Sequence, residues 1–405
     1  MNATPLPRLT RLAGSLAALL LAVLVTACGS GTTPPPAAPP PTDGVIVVAN
    51  SRANVPALRL SPANTSLLTE VLVSGLPVTI VSADGSPRQV DLPIPRVTGN
   101  NQHSLAKNLE RALQLVGMGI TALPDSDGAN AYSALAVARD SALAMGLTDP
   151  TIICLACGLD TVGPLSMLDE GALQAEPQDY VSYLDSSGQL IRFDGFTRVT
   201  VVLTSTGATA APQIPLRVSE VEHLTALWRE VLMAGGAEVT VDPQPLSGES
   251  IATEFTVPVV TPPPAPTMQP IATCEPQTLS FDGASGARFE PETDIWADVD
   301  EATAALAPLA EWLKESPDRT ARIQGTTADV LSGDPNEGKD LSRLRASAAA
   351  RLLIELGVAE HQIVAIDGLG PDYPGRVPDR DSAGNPIPSE RTKNRKVLIT
   401  LQQTC

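Results

Sequence analysis

Two proline-rich stretches set the organisation of this 405-residue chain. One, GSGTTPPPAAPPPTDG, follows Cys28; the other, TPPPAPTMQP, runs from Thr261 to Pro270. Proline lacks the amide hydrogen that a helix interior or a central strand needs, and low-complexity sequence of this kind carries too little apolar surface to bury. Neither stretch can join a core. The folding sequence is therefore confined to two segments, 45–258 and 271–405, with linkers at 28–44 and 259–270. Each segment is near or above the usual domain size. The first linker, extended at about 3.1 Å per residue, reaches roughly 50 Å.

Residues 1–27 read as a processing segment. Arg8 and Arg11 give a short basic start, and LAGSLAALLLAVLV is an apolar run shorter than the roughly 20 residues that span a bilayer. Val25-Thr26-Ala27-Cys28 then puts small residues before a cysteine. This resembles the lipobox of bacterial lipoproteins. The resemblance implies cleavage before Cys28, lipidation of its thiol, and a lipid-anchored place in the cell envelope facing periplasm or exterior. An ordinary secretory signal and an uncleaved anchor are the plain alternatives.

The formal net charge of −18 argues against nucleic acid as a partner, since phosphate binding needs a basic footprint. Aromatics make up 3% of the chain, so stacking platforms for bases or sugars are scarce. Of the five cysteines, Cys274 and Cys405 bracket the second segment. In an exported protein that placement suggests a disulfide between its ends. Cys154 and Cys157 form a lone C-x-x-C at the end of an apolar strand, and the three histidines are scattered. A zinc site lacks its further ligands, which leaves two buried thiols or a local disulfide.

The segment 45–258 alternates strand and helix. GVIVVAN and DPTIICLACG are β-branched apolar runs suited to strands buried on both faces. Ser61 followed by Pro62 opens a helix to Leu72; SLAKNLERALQLV, NAYSALAVARDSALAMG and Glu220 to Met233 are further helices. PVTIVSAD and RQVDLPI read as strands around the turn Asp84-Gly85-Ser86-Pro87, with RVTVVLTSTG and AEVTVDP as later strands. The order predicts an α/β domain, a mainly parallel sheet with helices on both faces. It resembles the von Willebrand factor A fold. That family holds a metal through Asp-x-Ser-x-Ser after its first strand; here the positions read Ala49-Asn50-Ser51-Arg52-Ala53. The leading carboxylate is gone, and no metal or other cofactor is expected. Ligands of open parallel sheets bind at the carboxyl ends of strands, which here carry Asn50, Ser51, Arg52, Asn54, Asp160, Thr161, Thr204, Thr206 and Thr209.

The segment 271–405 reads as an α+β sandwich of helices on a sheet: LSFDGASGARF, a helix from Asp300 to Lys314, ARIQG, a helix from Ser342 to Leu356, QIVAIDG, a proline-rich loop and KVLITLQQ. Its marks are Phe289, Trp312-Leu313, Ile323-x-Gly325-x-Thr327, Leu341-Ser342-x-x-Arg345-Ala346, Leu356-Gly357-Val358, Gly368-x-Gly370 and Asn394-Arg395-Lys396-Val397. These resemble, in order, the OmpA-like peptidoglycan-associated domain. The resemblance implies a ligand, the diaminopimelate of the wall stem peptide, whose free end carries an ammonium and a carboxylate. It also implies a site from Arg345, an aspartate of a G-H-T-D loop, Thr327 and Asn394. With Ser342 as N-cap, Arg345 and the helix N-terminus would face one carboxylate. Gly325-Thr326-Thr327-Ala328 stands where G-H-T-D is expected, so the aspartate position is Ala328. Either Asp329 (or Asp334) replaces it, or the ammonium is not gripped. A structural Arg345 paired with Asp340 is the bland alternative.

No nucleophile elbow, P-loop or dinucleotide fingerprint occurs, and no enzyme is expected. The expected function is a non-enzymatic tether between membrane and peptidoglycan, with the α/β domain serving an unknown envelope protein. An adaptor or receptor with weak wall binding is the alternative.

Overall fold

A computed structural model describes residues 42–243, 246–262, 275–286, 288–330 and 335–403. The processing segment, Cys28 and the Cys274–Cys405 pair lie outside the described residues, as does Asp334. No helix among the described residues is long and apolar enough to cross a membrane.

The first sheet has six strands: β1 (Gly44–Ala49), β2 (Val78–Ser82), β3 (Arg88–Gln89), β4 (Pro150–Leu155), β5 (Thr200–Thr204) and β6 (Glu238–Asp242). Their order is β3-β2-β1-β4-β5-β6, all parallel except β3. Every residue of β1 and β4 is buried, as their unbroken apolar runs require. Alternation divides β1 between two cores. Val45, Val47 and Ala49 meet Leu68 of α1 (Pro62–Val73) and Val116 of α2 (Gln102–Ile120). Ile46 and Val48 meet Tyr132 and Leu135 of α3 (Ala131–Ala144). The expected strand RQVDLPI pairs only at Arg88 and Gln89; Pro93 and Pro95 have no N–H to continue a ladder. The packed segment also runs past 258: Val260 is 1% exposed, and its N–H and C=O bind the Gln213 side chain at 2.9 and 2.6 Å.

Two further helices belong to this part. One is α5 (Val218–Ala234), packed on the sheet through Leu224, Leu227 and Trp228. The other, α4 (Pro177–Ser186), lies between β4 and β5 and is absent from the sequence reading. Pro177 at its first position pre-sets the backbone.

The second sheet has the order β7-β10-β8-β9, from β7 (Gln277–Asp282), β8 (Arg319–Thr326), β9 (Ile363–Gly370) and β10 (Lys396–Gln403). Only β8 and β9 run parallel. Its core takes Leu306, Leu309 and Leu313 of α6 (Val299–Lys314) and Ala346, Ala349 and Leu353 of α7 (Pro335–Glu355). Glycines let α7 lie close on the sheet. A Cβ on Gly325 would fall 1.8 Å from Ser342 O, and one on Gly368 2.2 Å from Lys339 O. The start of α7 corrects the expectation of a helix from Ser342. Pro335 begins it, and residues 335–341 form about two further turns before Ser342. Ser342 is fully buried inside, donating to Lys339 O and accepting from Gly370 N.

Residues 40–405 form one compact unit, and the joint between the two sheets is charged. Asp179 of α4 is 1% exposed and receives Arg391 Nε at 2.6 Å and Arg395 Nη2 at 3.0 Å. Arg391 belongs to a short helix, α8 (Pro388–Asn394), inside the expected irregular loop. Burial alone would push the Asp179 carboxyl up, but the Arg395 charge and the hydrogen bonds from both arginines outweigh it and hold it below its usual range. Gly171 sits in the left-handed region at φ 92°, where a Cβ would lie 2.7 Å from Ser389 O. His223 of α5 donates from Nε2 to Ala175 O, leaving Nδ1 to accept from Arg288. Burial and the Arg288 charge lower its pKa to about 3, so it stays neutral.

Gly325→Ala is expected to lose about 3 kcal/mol, because backbone rather than a mobile side chain opposes the methyl; denaturant unfolding checks it. Asp179→Asn is expected to lose about 3–5 kcal/mol, since it leaves buried guanidiniums short of a counter-charge. The folded pKa of Asp179 is below 3.8. Its contribution is thus complete above the unfolded value and disappears as pH falls through the folded one. The gap in denaturant midpoint between parent and variant should therefore narrow as pH falls below about 5.

Candidate functional site

A cavity of about 220 Å³ opens where α7, α8 and the loop after β8 meet α4. Its lining includes the basic residues Arg345, Arg391 and Arg395, the acidic residues Glu292, Asp329 and Glu337, and Thr327. Arg345 and Asp329, two of the residues expected at a wall-peptide site, therefore share one cavity, and Thr327 joins them.

The surroundings of Arg345 differ from the expectation. It lies in the third turn of α7, not the first, and is 4% exposed. Its Nε donates to Thr293 O at 2.9 Å, its Nη2 reaches Glu290 O at 3.5 Å, and its guanidinium lies 5.3 Å from the centre of the Phe289 ring. Its carboxylate neighbour is Glu176, at the N-cap position of α4, 3.8 Å away. Asp340 does not fill that place. Glu176 also lies 3.2 Å from Arg395 Nε. Burial raises the Glu176 carboxyl, with the Arg395 charge opposing it.

Asp329 is engaged on its own side. Arg376 Nη2 approaches one oxygen at 2.6 Å and Arg380 Nε the other at 3.5 Å, while its N–H donates to Asp379. Ala328, at the family's aspartate position, is 3% exposed. Asn394 is fully buried and does not line the cavity. Its Oδ1 accepts from Tyr373 Oη and Val377 N, and its Nδ2 donates to Val377 O and Asp379, so it braces the loop before α8.

Two of the lining residues carry a buried polar atom with no hydrogen-bond partner among the described residues: Arg391 Nη1 and Thr327 Oγ1. Arg391 and Thr327 are 3% and 4% exposed. A buried donor left unmade costs about 1–3 kcal/mol, more when charged, so these atoms favour an anionic or accepting ligand group. Sequence reasoning missed Arg391, Glu176, Gln178 and Asp179. Arg395 belongs to the Asn394-Arg395-Lys396-Val397 mark without having been given a role.

At the carboxyl ends of the first sheet, Asn50, Ser51, Arg52, Asn54, Asp160, Thr161 and Thr204 are all buried. Arg52 Nη2 donates to Cys157 Sγ at 2.9 Å and Leu159 O at 3.1 Å. Cys154 and Cys157 are free thiols, which settles the choice left open between thiols and a local disulfide. Asp160 accepts from Ala131 N and Tyr132 N at the start of α3, and burial raises its pKa to about 6. Thr206 and Thr209 line a separate cavity of about 360 Å³ with Ser205 and Asp242. No cluster of three or more metal-ligating side chains occurs among the described residues.

No protein-family profile matches the chain, and no curated protein matches it. Solved structures similar to part of it include the periplasmic domain of MotB from Helicobacter pylori, 20% identical over 32% of this chain and 83% of that one, with a TM-score of 0.26. The OmpA-like domain of FopA1 from Francisella tularensis is 18% identical over 32% of this chain and 73% of its own length, with a TM-score of 0.24. The peptidoglycan-associated lipoprotein from Burkholderia pseudomallei is 27% identical over 31% of this chain and 89% of its own, with a TM-score of 0.21. These neighbours are OmpA-like, MotB and peptidoglycan-associated lipoprotein structures, and their likeness extends over about a third of the chain.

Proposed function

We propose that the protein is a non-enzymatic envelope tether, held to a membrane by lipid on Cys28 and to peptidoglycan by the cavity beside Arg345. One observation carries the wall-binding part: three arginines line that cavity, while two of its lining residues keep a buried polar atom without a partner among the described residues, Arg391 Nη1 and Thr327 Oγ1. A carboxylate satisfies both atoms, and the planar guanidinium suits its two oxygens. Glu292 and Asp329 on the same cavity supply negative charge for an ammonium. A group with one carboxylate and one ammonium is the free end of diaminopimelate, the ligand implied by the OmpA-like resemblance.

The ammonium side is the weaker half. Arg376 and Arg380 already hold both oxygens of Asp329, which supports the second reading, an envelope adaptor or receptor with weak wall binding. The parallel sheet with helices on both faces supports a von Willebrand factor A-like first domain, serving an envelope protein. At the position of that family's metal, the Arg52 guanidinium already supplies a buried positive charge.

The full chain in detergent is expected to sediment with purified sacculi, and Arg391→Ala to lose roughly tenfold or more in affinity. A parent chain that stays in the supernatant ends the tether reading in favour of the adaptor. Calorimetry with Mg²⁺, Mn²⁺ or Ca²⁺ is expected to give no binding heat at millimolar ion, because Arg52 repels a second cation; a saturable heat would restore a metal to the first domain.

A further inference from the structure

We propose that the carboxylate-binding site is composite: Asp179 of the first domain is a positioning residue for Arg391 of the second, and Gln178 beside it forms a wall that the ligand touches. The inference rests on the wall-peptide reading and names the residues from outside the OmpA-like segment that complete the site.

Ion pairing is the first ground. Among the described residues, the carboxylates paired with Arg391 and Arg395 are Asp179 and Glu176, both on α4 or its N-cap. The second domain provides neither arginine with an ion-pair partner of its own there. A long side chain with several free torsions has no fixed direction unless something holds it. Arg391 is held at one end of its fork, where Nε donates to Asp179 Oδ1 at 2.6 Å. That leaves Nη1 as a buried donor without a partner among the described residues, on a side chain that lines the cavity.

Charge is the second ground. Arg345, Arg391 and Arg395 bring three positive charges, and Glu176 and Asp179 bring two negative ones. One positive charge remains in this buried cluster, the amount that a single ligand carboxylate neutralises. Without α4 there would be three, and the site would attract anions with less discrimination. The third ground is shape. Gln178 is exposed on α4 and lines the same cavity as Thr327 and Arg345, so a ligand seated there touches both domains.

The test titrates the full chain in detergent with two synthetic stem peptides ending in diaminopimelate, one with its terminal carboxylate free and one amidated. The parent is expected to prefer the free acid. Asp179→Asn should weaken the free acid roughly tenfold or more and the amide much less, because the misdirected guanidinium no longer recognises the charge. Asp179→Glu should restore part of the preference. Gln178→Trp, at an exposed position that tolerates a large side chain in the fold, should abolish binding of both peptides by filling the cavity. Gln178→Trp also decides the matter if Asp179→Asn fails to fold. The proposal is overturned if Asp179→Asn binds as the parent does, if it binds tighter (α4 then blocks the site), if both peptides weaken equally, or if Gln178→Trp binds normally. A parent that binds neither peptide removes the wall-peptide reading and this inference together.

Discussion

A single carboxylate, Asp179, sits where the two halves of the molecule meet, and the site depends on it. It is almost wholly buried and takes hydrogen bonds from two arginines of the other half. Moving such groups out of water costs several kcal/mol for each ion, and only close geometry with satisfied hydrogen bonds offsets that. The contact is therefore weak ground for overall stability and strong ground for specificity. A shifted docking of the halves would strand buried charge, whereas a purely apolar joint tolerates sliding. Gly171 against Ser389 and His223 against Arg288 fix the same register from either side.

This joint changes what the second domain is. Its sheet, its glycines at Gly325 and Gly368 and its helix α7 build a self-contained core. Its arginine wall is not self-contained. Glu176 stands beside Arg345, and Asp179 beside Arg391 and Arg395, which leaves Arg391 Nη1 without a partner among the described residues. The position that the resemblance reserves for an aspartate is a buried alanine, and the next acid is drawn toward Arg376 and Arg380. The arginine side of the cavity is thus paired with carboxylates from another domain, while Asp329 and the exposed Glu292 are the acids named on its other side.

Much of the fold was legible because it follows from short-range rules. The fully buried β1 and β4 stand out as apolar runs, and Ser61-Pro62 marks a helix start that the structure caps with the Ser61 hydroxyl oxygen. The glycine and arginine marks of the second segment located its cavity. What escaped was non-local or weakly patterned. Helix α4 opens without a side-chain cap bond, and its sequence PQDYVSYLDS is half polar because one face meets the other domain rather than a solvent boundary. Asp179 and Arg391 are separated by 212 positions, and no periodicity links them. The helix start expected at Ser342 failed for a different reason. The chain is already helical from Pro335, despite the weak helix formers Asn336 and Gly338, so the presumed cap becomes a buried side chain that accepts from Gly370 N.

The left-handed turn at Gly171 and the α4 carboxylates have a consequence for how such a chain can be recombined. Domains joined by a proline-rich linker look like interchangeable modules. Here, however, the linker joins parts whose contact surface is already committed. Grafting another domain after the same first domain would leave Glu176 and Asp179 facing whatever side chains it happened to bring. Grafting this second domain elsewhere would leave its arginines without counter-charges. The two halves are covalently tethered modules in sequence but electrostatic complements in space, and they can be exchanged only as a pair.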